Sequence, residues 1–570
     1  MTWLAEACML LAFLSAAAGA LAQEAPPLTE HPRLYFTAAE LAHLRALRAS
    51  GQHARMWQNL AESADWCLAQ EPRTEWIAPV APDPVYLNLY DRFYAMMHDM
   101  AVMEHLAFAW AYSGEPRYFE GARRWTLACA RVWSREAEGE PDASKAYAVM
   151  RLLKGLAVSY DLLCTHLPAA EREEVRDIMA GIAGKYYQWY LDNPGMAGPG
   201  QDKHHGSVEA SSFGVAALAL LGEVPEAGDW LELAVRKHTD YLLPEALTPS
   251  GTQEQTSNFW ASTMQYRLFF LDALRRVTGR DLFAQFAAQM DGRMALAAVV
   301  GRKLPGHNED NRSILFAPSY GQLDYWSPVL LYLAREYRRP IYQHLALWDQ
   351  SLGALQRTRY VTEHGEQLLF ELGGYAYAWY DSTVAAQVEP DLPLSFAFAD
   401  VGEAYARAGW EPGGLAVAVR QGVVIIHAGG DAVVVDLTGQ PGWTGEAMTL
   451  TDSGEAATIA CAGSPASQTL ELRRPGTAVL TRTGAGRMQW WCHTLPEREG
   501  GTLTWPSGVV LRVVQGDIAL VEPDGYLDEK VVGMGKLHLA DPMPMRYPRI
   551  TVEPNAEGVV HLQVRCPVGA

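Results

Sequence analysis

The chain is short of cysteine, short of positive charge and almost without long apolar runs. Seven cysteines are scattered over 570 residues, with no Cys-x-x-Cys pair and no zinc-like spacing. That excludes a cysteine-built metal domain and a dense disulfide scaffold. Cys8 lies in the N-terminal leader; for Cys67, Cys129, Cys164, Cys461, Cys492 and Cys566, disulfides and buried thiols both stay open. Lys and Arg number 46 against 66 Asp and Glu, a formal charge of −20. This argues against nucleic acid or an anionic membrane as the main partner, and means that an anionic ligand needs a locally basic groove. No short repeat recurs, so a repeat solenoid is disfavoured. The one conspicuous apolar run, MLLAFLSAAAGALA from Met9 to Ala22, is short for a membrane span and ends in the small-x-small pattern Ala20-Leu21-Ala22. It predicts a signal peptide over residues 1–22, cleavage before Gln23, and an exported, periplasmic or secreted protein with no later membrane span.

What is present is a folded chain too long for one ordinary core, so two or three domains are expected. From Thr37, where Thr37 and Glu40 form a capping box, to about Trp348 the apolar period is helical. Runs at 95–114, 118–135, 146–163, 170–192, from Ser211 and at 260–279 alternate with short Gly/Pro loops. Repeated antiparallel helix pairs of this length predict an α/α toroid over residues 23–350. Near Gln356 the period becomes that of strands, and Gly429-Gly430-Asp431 and Pro475-Gly476 mark hairpin turns. Residues 357–570 are therefore expected to form an antiparallel β-sandwich. Eighteen Trp and 25 Tyr supply flat apolar faces that suit sugar rings, although most belong to the core.

One stretch organises the helical part: DKHHGSVEASSFGVAALALLGE, residues 202–223. Its polar opening leads into a small-residue helix in which Gly214, Ala216, Ala217 and Ala219 permit close helix approach. His204, His205 and Glu209 are thereby placed at the mouth of a buried helix, where a side chain is held firmly and still meets a ligand.

Several phrases, in their order and spacing, carry a resemblance. They are HPRLYFTAAEL at 31–41, SYDLL at 159–163, HGSVEASSFGVAALALLGE from His205, LDALRRVTGRDLF at 271–283 and FADVGEAYARAGW at 398–410. Together the chain resembles the heparinase II/III-like polysaccharide lyases over most of its length. The resemblance implies a helical toroid followed by a β-sandwich, and cleavage of a uronic-acid polysaccharide, possibly sulfated, by β-elimination. That reaction needs a neutraliser for the uronate carboxylate, a base for the neighbouring proton and an acid for the leaving oxygen. An acidic polysaccharide or oligosaccharide is then the expected partner.

Two departures qualify this. The family's catalytic tyrosine slot falls on Phe259, which cannot move a proton, leaving Tyr266, two turns on, as the nearest phenol. The family's His-x-His-x-Asp phrase is missing; VVIIHAGGDAVVVD reads instead as a hairpin containing His427 and Asp431, so no cofactor and no family-type zinc site is expected. The expected catalytic residues are His205, Tyr266 and His307. The expected substrate contacts are His204, Glu209, Glu254, Trp260, Arg267, Asn308, Arg312 and Arg92, with Asn308 and Arg312 in a polar loop, LPGHNEDNR, between toroid helices. Two other readings compete: a catalytically silent glycan-binding relative, and a glycoside hydrolase built on the toroid from a carboxylate pair.

Overall fold

The computed structural model describes residues 27–78, 87–253, 257–290, 292–303, 311–317, 321–323, 327–348, 357–362, 365–368, 374–420, 422–436, 448–462, 466–484, 486–527 and 545–567. Helix α1 (Ala38–Leu47) opens on the expected capping box: Thr37 Oγ1 accepts from the Glu40 amide, and the Glu40 carboxylate accepts from the Thr37 amide. Then follow α2 (Gly51–Leu68), α3 (Leu87–Ser113), α4 (Pro116–Trp133), α5 (Ala143–Leu163), α6 (Ala169–Asp192), α7 (Lys203–Leu220), α8 (Ala227–Lys237) and α9 (Ser257–Thr278).

Two kinds of helix alternate. α5 and α7 are buried on nearly every side, as a helix apolar all round must be. α4 and α8 bury one face and present charge on the other. The inner helices α3, α5, α7 and α9 lie side by side in the same sense. Near their N-terminal ends Phe93 stacks on Tyr147, Tyr147 reaches His204, and His204 packs on Phe259. Deeper in, Glu104 meets Lys154 and Ser207 meets Arg267. Close approach of α7 to α9 depends on Gly214, where a Cβ would stand 2.3 Å from the Phe270 ring.

Beyond α9 come α10 (Leu282–Gln285), α11 (Arg293–Ala298), strands β1 (Val299–Lys303), β2 (Asn311–Ala317) and β3 (Gly321–Leu323), then α12 (Ser327–Tyr337) and α13 (Pro340–Ala346). This corrects the expectation of an almost wholly helical first part. The β-branched pair Val299-Val300 and the short apolar run Ile314-Leu315-Phe316 favour pleated backbone, and β1–β2–β3 is an antiparallel sheet. Arg312 stands on β2 opposite Arg302 rather than in an inter-helix loop. After the hairpin β4 (Arg357–Thr362) and β5 (Gly365–Leu368), α14 (Tyr375–Trp379) closes the ring. Tyr375 donates to Glu104 of α3, Trp379 to Asp272 of α9, and Tyr377 to the Leu44 carbonyl of α1. The helical part is an α/α toroid.

At the ring's lower end three of the phrases that carry the resemblance meet. Asp161 accepts from His31 Nδ1 at 2.6 Å and from the Arg33 and Leu34 amides at 3.0 and 3.1 Å. Glu223 accepts from His31 Nε2 and from the Tyr160 hydroxyl, both at 2.6 Å. Arg33 donates to the Ala219 and Leu221 carbonyls at the end of α7.

The described residues from 395 on form two antiparallel eight-stranded sheets. The first runs β6 (Ser395–Phe398), β7 (Glu403–Arg407), β8 (Ala416–Arg420), β9 (Val423–Ala428) and β10 (Asp431–Asp436), then Met488–Trp491, Met545–Glu553 and Asp517–Leu527. β9 and β10 are the expected hairpin, turning through Gly429 and Gly430 at φ of 62° and 81°, which glycine alone adopts without strain. Its middle strands are buried on both faces, which explains their unbroken apolar runs. Val417, Val424 and Ile426 face the second sheet, whereas Ala418, Ile425 and Ala432 pack with the helical core. Arg407, wholly inside, donates to the Leu296, Ala297 and Val299 carbonyls at the end of α11 and so ties sheet to ring. Asp400 accepts from the Ser250 amide and hydroxyl, which brings the sandwich to the end of the ring where the inner helices begin.

Cys67, Cys129, Cys164, Cys461, Cys492 and Cys566 are free thiols. Among the described residues no helix is long and apolar enough to cross a membrane, and the leader over 1–22 lies outside them.

Candidate active site

The helix carrying the histidine pair starts earlier than its apolar pattern indicated. Asp202 is its N-cap, accepting from the His205 amide at 2.6 Å, so His204 and His205 belong to the first turn of α7. Consecutive helical residues point about 100° apart, and the two imidazoles accordingly differ. His204 turns inward and is buried; His205 is about a third exposed.

His204 is held from two sides. Its Nε2 lies 2.9 Å from the Tyr147 hydroxyl, and its Nδ1 lies 2.8 Å from Thr263 Oγ1 and 3.4 Å from Ser262 Oγ. Phe259 covers it, ring centroid at 4.7 Å. Burial above all, then the neighbouring His205, Arg151 and Arg267, holds its pKa well below the usual histidine value. It is a neutral imidazole at working pH. His205 is lowered as well, chiefly by burial, with Asp202 3.4 Å from Nδ1 pulling the other way.

Tyr147, one turn into α5, lies between these groups. Its ring stacks on Phe93 at 5.4 Å and packs on His205 at 4.2 Å. Its oxygen accepts from Arg151 Nη2 at 2.6 Å, an i,i+4 pair on α5. The Arg151 guanidinium is itself enclosed by the rings of Tyr147, Tyr266 and Phe93, at 4.5, 4.6 and 5.0 Å. A buried cation fixed in an aromatic cage thus stands against a half-buried phenol at the mouth of the ring.

The other expected residues are spread around this centre. Tyr266 is buried, edge-on to Phe269, with Arg151 over its ring. Trp260 is wholly buried and offers no open ring face to a sugar. Arg267 is also wholly buried: Nη2 donates to Ser207 Oγ at 3.1 Å, while Nε and Nη1 find no partner among the described residues, and burial pushes the guanidinium down to about 9. Glu209 is buried beneath the loop at 193–202, accepting from Tyr190 at 3.0 Å and from Gln201 at 2.5 Å; burial raises its carboxyl to about 8. It braces that loop, since Gln201 also accepts from the Ala197 amide. Arg92 lies on α3 and Arg312 on β2, whereas Glu254, His307 and Asn308 fall outside the described residues. His98 turns away from the mouth, edge-on to Trp66 of α2.

Tyr147, Arg151 and Thr263 were not singled out from the sequence. Tyr147 and Arg151 are one helical turn apart, which was legible, but their meeting with α7 is a matter of ring assembly.

His427 and Asp431 are held differently in the sandwich. Asp431 commits its carboxylate to the Ala432 amide and to Thr494, while His427 points from β9 toward the helical core with Ile425. Among the described residues no three His, Cys, Asp or Glu side chains converge as metal ligands.

No protein-family model matches the chain, and no curated protein matches it. Among solved structures it is similar to a heparan sulfate lyase mutant from Pedobacter heparinus, at 13% identity over 94% of this chain and 92% of that one, with a TM-score of 0.43. It is similar also to a heparinase III, at 12% identity over 90% and 84% with a TM-score of 0.44, and to a chondroitinase AC lyase, at 12% over 93% and 83% with a TM-score of 0.42.

Proposed function

We propose that the protein is an exported polysaccharide lyase of the heparinase II/III-like kind, cleaving a uronic-acid-containing polysaccharide by β-elimination at the mouth of the toroid. The observation that carries this is the group at the mouth: an open imidazole, His205, packed on a phenol whose oxygen lies against a guanidinium and a second imidazole. A neutraliser, a proton carrier and a fixed positive charge are the parts an elimination next to a carboxylate requires. The positive ends of the inner helices converge there, and Arg151 and Arg267 lie buried beneath, so an acidic chain acquires a locally positive mouth.

In this reading His205 meets the uronate carboxylate, and His204, kept neutral, orients Tyr147. Tyr266 and Trp260 frame the mouth from beneath; His307, Asn308, Arg312, Arg92 and Glu254 are further contacts to test by substitution. The discriminating experiment is a screen of heparin, chondroitin, hyaluronan, alginate and ulvan. A lyase creates an unsaturated uronate that absorbs in the near ultraviolet. A hydrolase releases reducing ends without that absorbance, and a binder gives neither. Reducing ends without absorbance would overturn the proposal.

A further inference from the structure

We propose that Tyr147 is the proton-transferring residue of this site, filling from α5 the role that Phe259 cannot perform from α9; the assignment rests on the lyase reading above. Three observations carry it. Among the described residues Tyr147 is the phenol that touches both histidines of α7, with His204 Nε2 at 2.9 Å from its oxygen and the His205 ring at 4.2 Å from its own. Its oxygen accepts from the Arg151 guanidinium at 2.6 Å, a charge-assisted bond that strengthens as the phenol ionises. It is half-buried, whereas Tyr266 is almost fully enclosed.

Among the described residues that touch Tyr147, Arg151 from its own helix is cationic, His204 from α7 is neutral and Phe93 from α3 is apolar. Among the described residues Asp202 is the acidic group near the pair, and it is turned to His205. With the His204 proton on Nε2 and Thr263 donating to Nδ1, the Tyr147 oxygen accepts from two sides, the arrangement that favours phenolate over phenol.

The step balances without any co-reactant. The phenolate takes the proton from the carbon next to the uronate carboxyl. The electron pair of that C–H bond becomes the new C=C bond, and the bond to the glycosidic oxygen breaks with its pair leaving on oxygen. The phenol then returns the proton to that oxygen, and phenolate is regenerated. His205 meets the carboxylate while charge builds on it.

Two measurements test this. The first needs no substrate: an absorbance titration of the intact protein should show one phenol ionising ahead of the other tyrosines, absent in Tyr147→Phe and displaced to higher pH in Arg151→Met or Arg151→Lys. The second uses whichever polysaccharide the screen identifies. Tyr147→Phe should lower kcat by about 100-fold or more with KM changed by less than about threefold, because the ring and its stacking remain. Arg151→Lys should move the acidic limb of the kcat/KM profile upward, which a merely structural loss would not do. Full rate in a folded Tyr147→Phe overturns the assignment and leaves the lyase reading standing. If no polysaccharide is cleaved, the lyase reading fails, and the titration alone decides: absence of an early phenol overturns the assignment too.

Discussion

Removing Asp161 should loosen the toroid from its far end. The side chain is almost fully buried and holds His31 at 2.6 Å together with the amides of Arg33 and Leu34. Asp161→Ala leaves a buried imidazolium short of its main counter-charge and two amides short of an acceptor. Breaking a buried pair from one side costs about 3–5 kcal/mol. With an unfolding entropy of about 2.1 cal/mol/K per residue, each kcal/mol is worth roughly 1.5 °C in a ring of this size, so thermal unfolding should drop by about 5–8 °C. The pH dependence makes the test specific. His31 is raised from 6.5 to about 11: burial opposes its charge, but hydrogen bonds to Asp161, Cys164 and Glu223 outweigh it. A folded pKa above the unfolded one gives stability that is fully present below about 6.5 and lost as pH rises toward 11. Within that window the loss is at most about 1.4 kcal/mol per pH unit, or roughly 2.7 kcal/mol between pH 7 and 9. Melting curves at those two pH values should show this slope in the wild type and not in His31→Gln. An Asp161→Ala protein melting within about 1 °C of wild type, or a His31→Gln protein with the full alkaline slope, refutes the reasoning.

Three further outcomes follow from buried charge. Glu209, raised to about 8, keeps its proton when folded while the unfolded carboxyl ionises near 4.5, so wild-type stability falls between those values. Glu209→Gln should melt like wild type near pH 5 and above it near pH 8; equal melting at both would show that the carboxyl titrates normally. Arg267, whose only bond among those described is to Ser207, should be replaceable by Met with unchanged or higher melting temperature, and a fall of several degrees would show that the Ser207 bond outweighs the desolvation of the charge. Arg407→Met should expose the junction of sheet and ring to limited proteolysis, because three carbonyls at the end of α11 lose their donor; an unchanged digestion pattern would count against that anchor.

Much of the fold was legible because its signals are local. The Thr37–Glu40 box, the long helices and the Gly429-Gly430 hairpin each depend on residues a few positions apart. The sequence misled where two local signals compete. Lys203-His204-His205 looks like a polar loop, yet Asp202 caps it into the helix; Val299-Val300 ends a helical run but begins a strand. The site was half legible: the histidine pair stood out, whereas Tyr147 and Arg151 resemble any other members of a buried helix. Their place at the mouth comes from meeting α7 across 57 residues of sequence, in the case of Tyr147 and His204, and periodicity carries no information on that. The phrases that carried the resemblance also mark a second place. His31, Asp161 and Glu223 join at the end of the ring away from the mouth, so the phrases at 31–41 and 159–163 report assembly of the scaffold, while the phrase from His205 to Glu223 spans both ends.

The first sheet, packed on both faces, has an evolutionary consequence. Ala418, Ile425 and Ala432 lie against the helical core while Val417, Val424 and Ile426 lie against the second sheet. A sandwich inherited alone would turn an apolar wall to water, and a ring inherited alone would lose the surface that covers its end. Gene fusion or domain exchange that moves either part by itself is therefore penalised. Ring and sandwich must descend together.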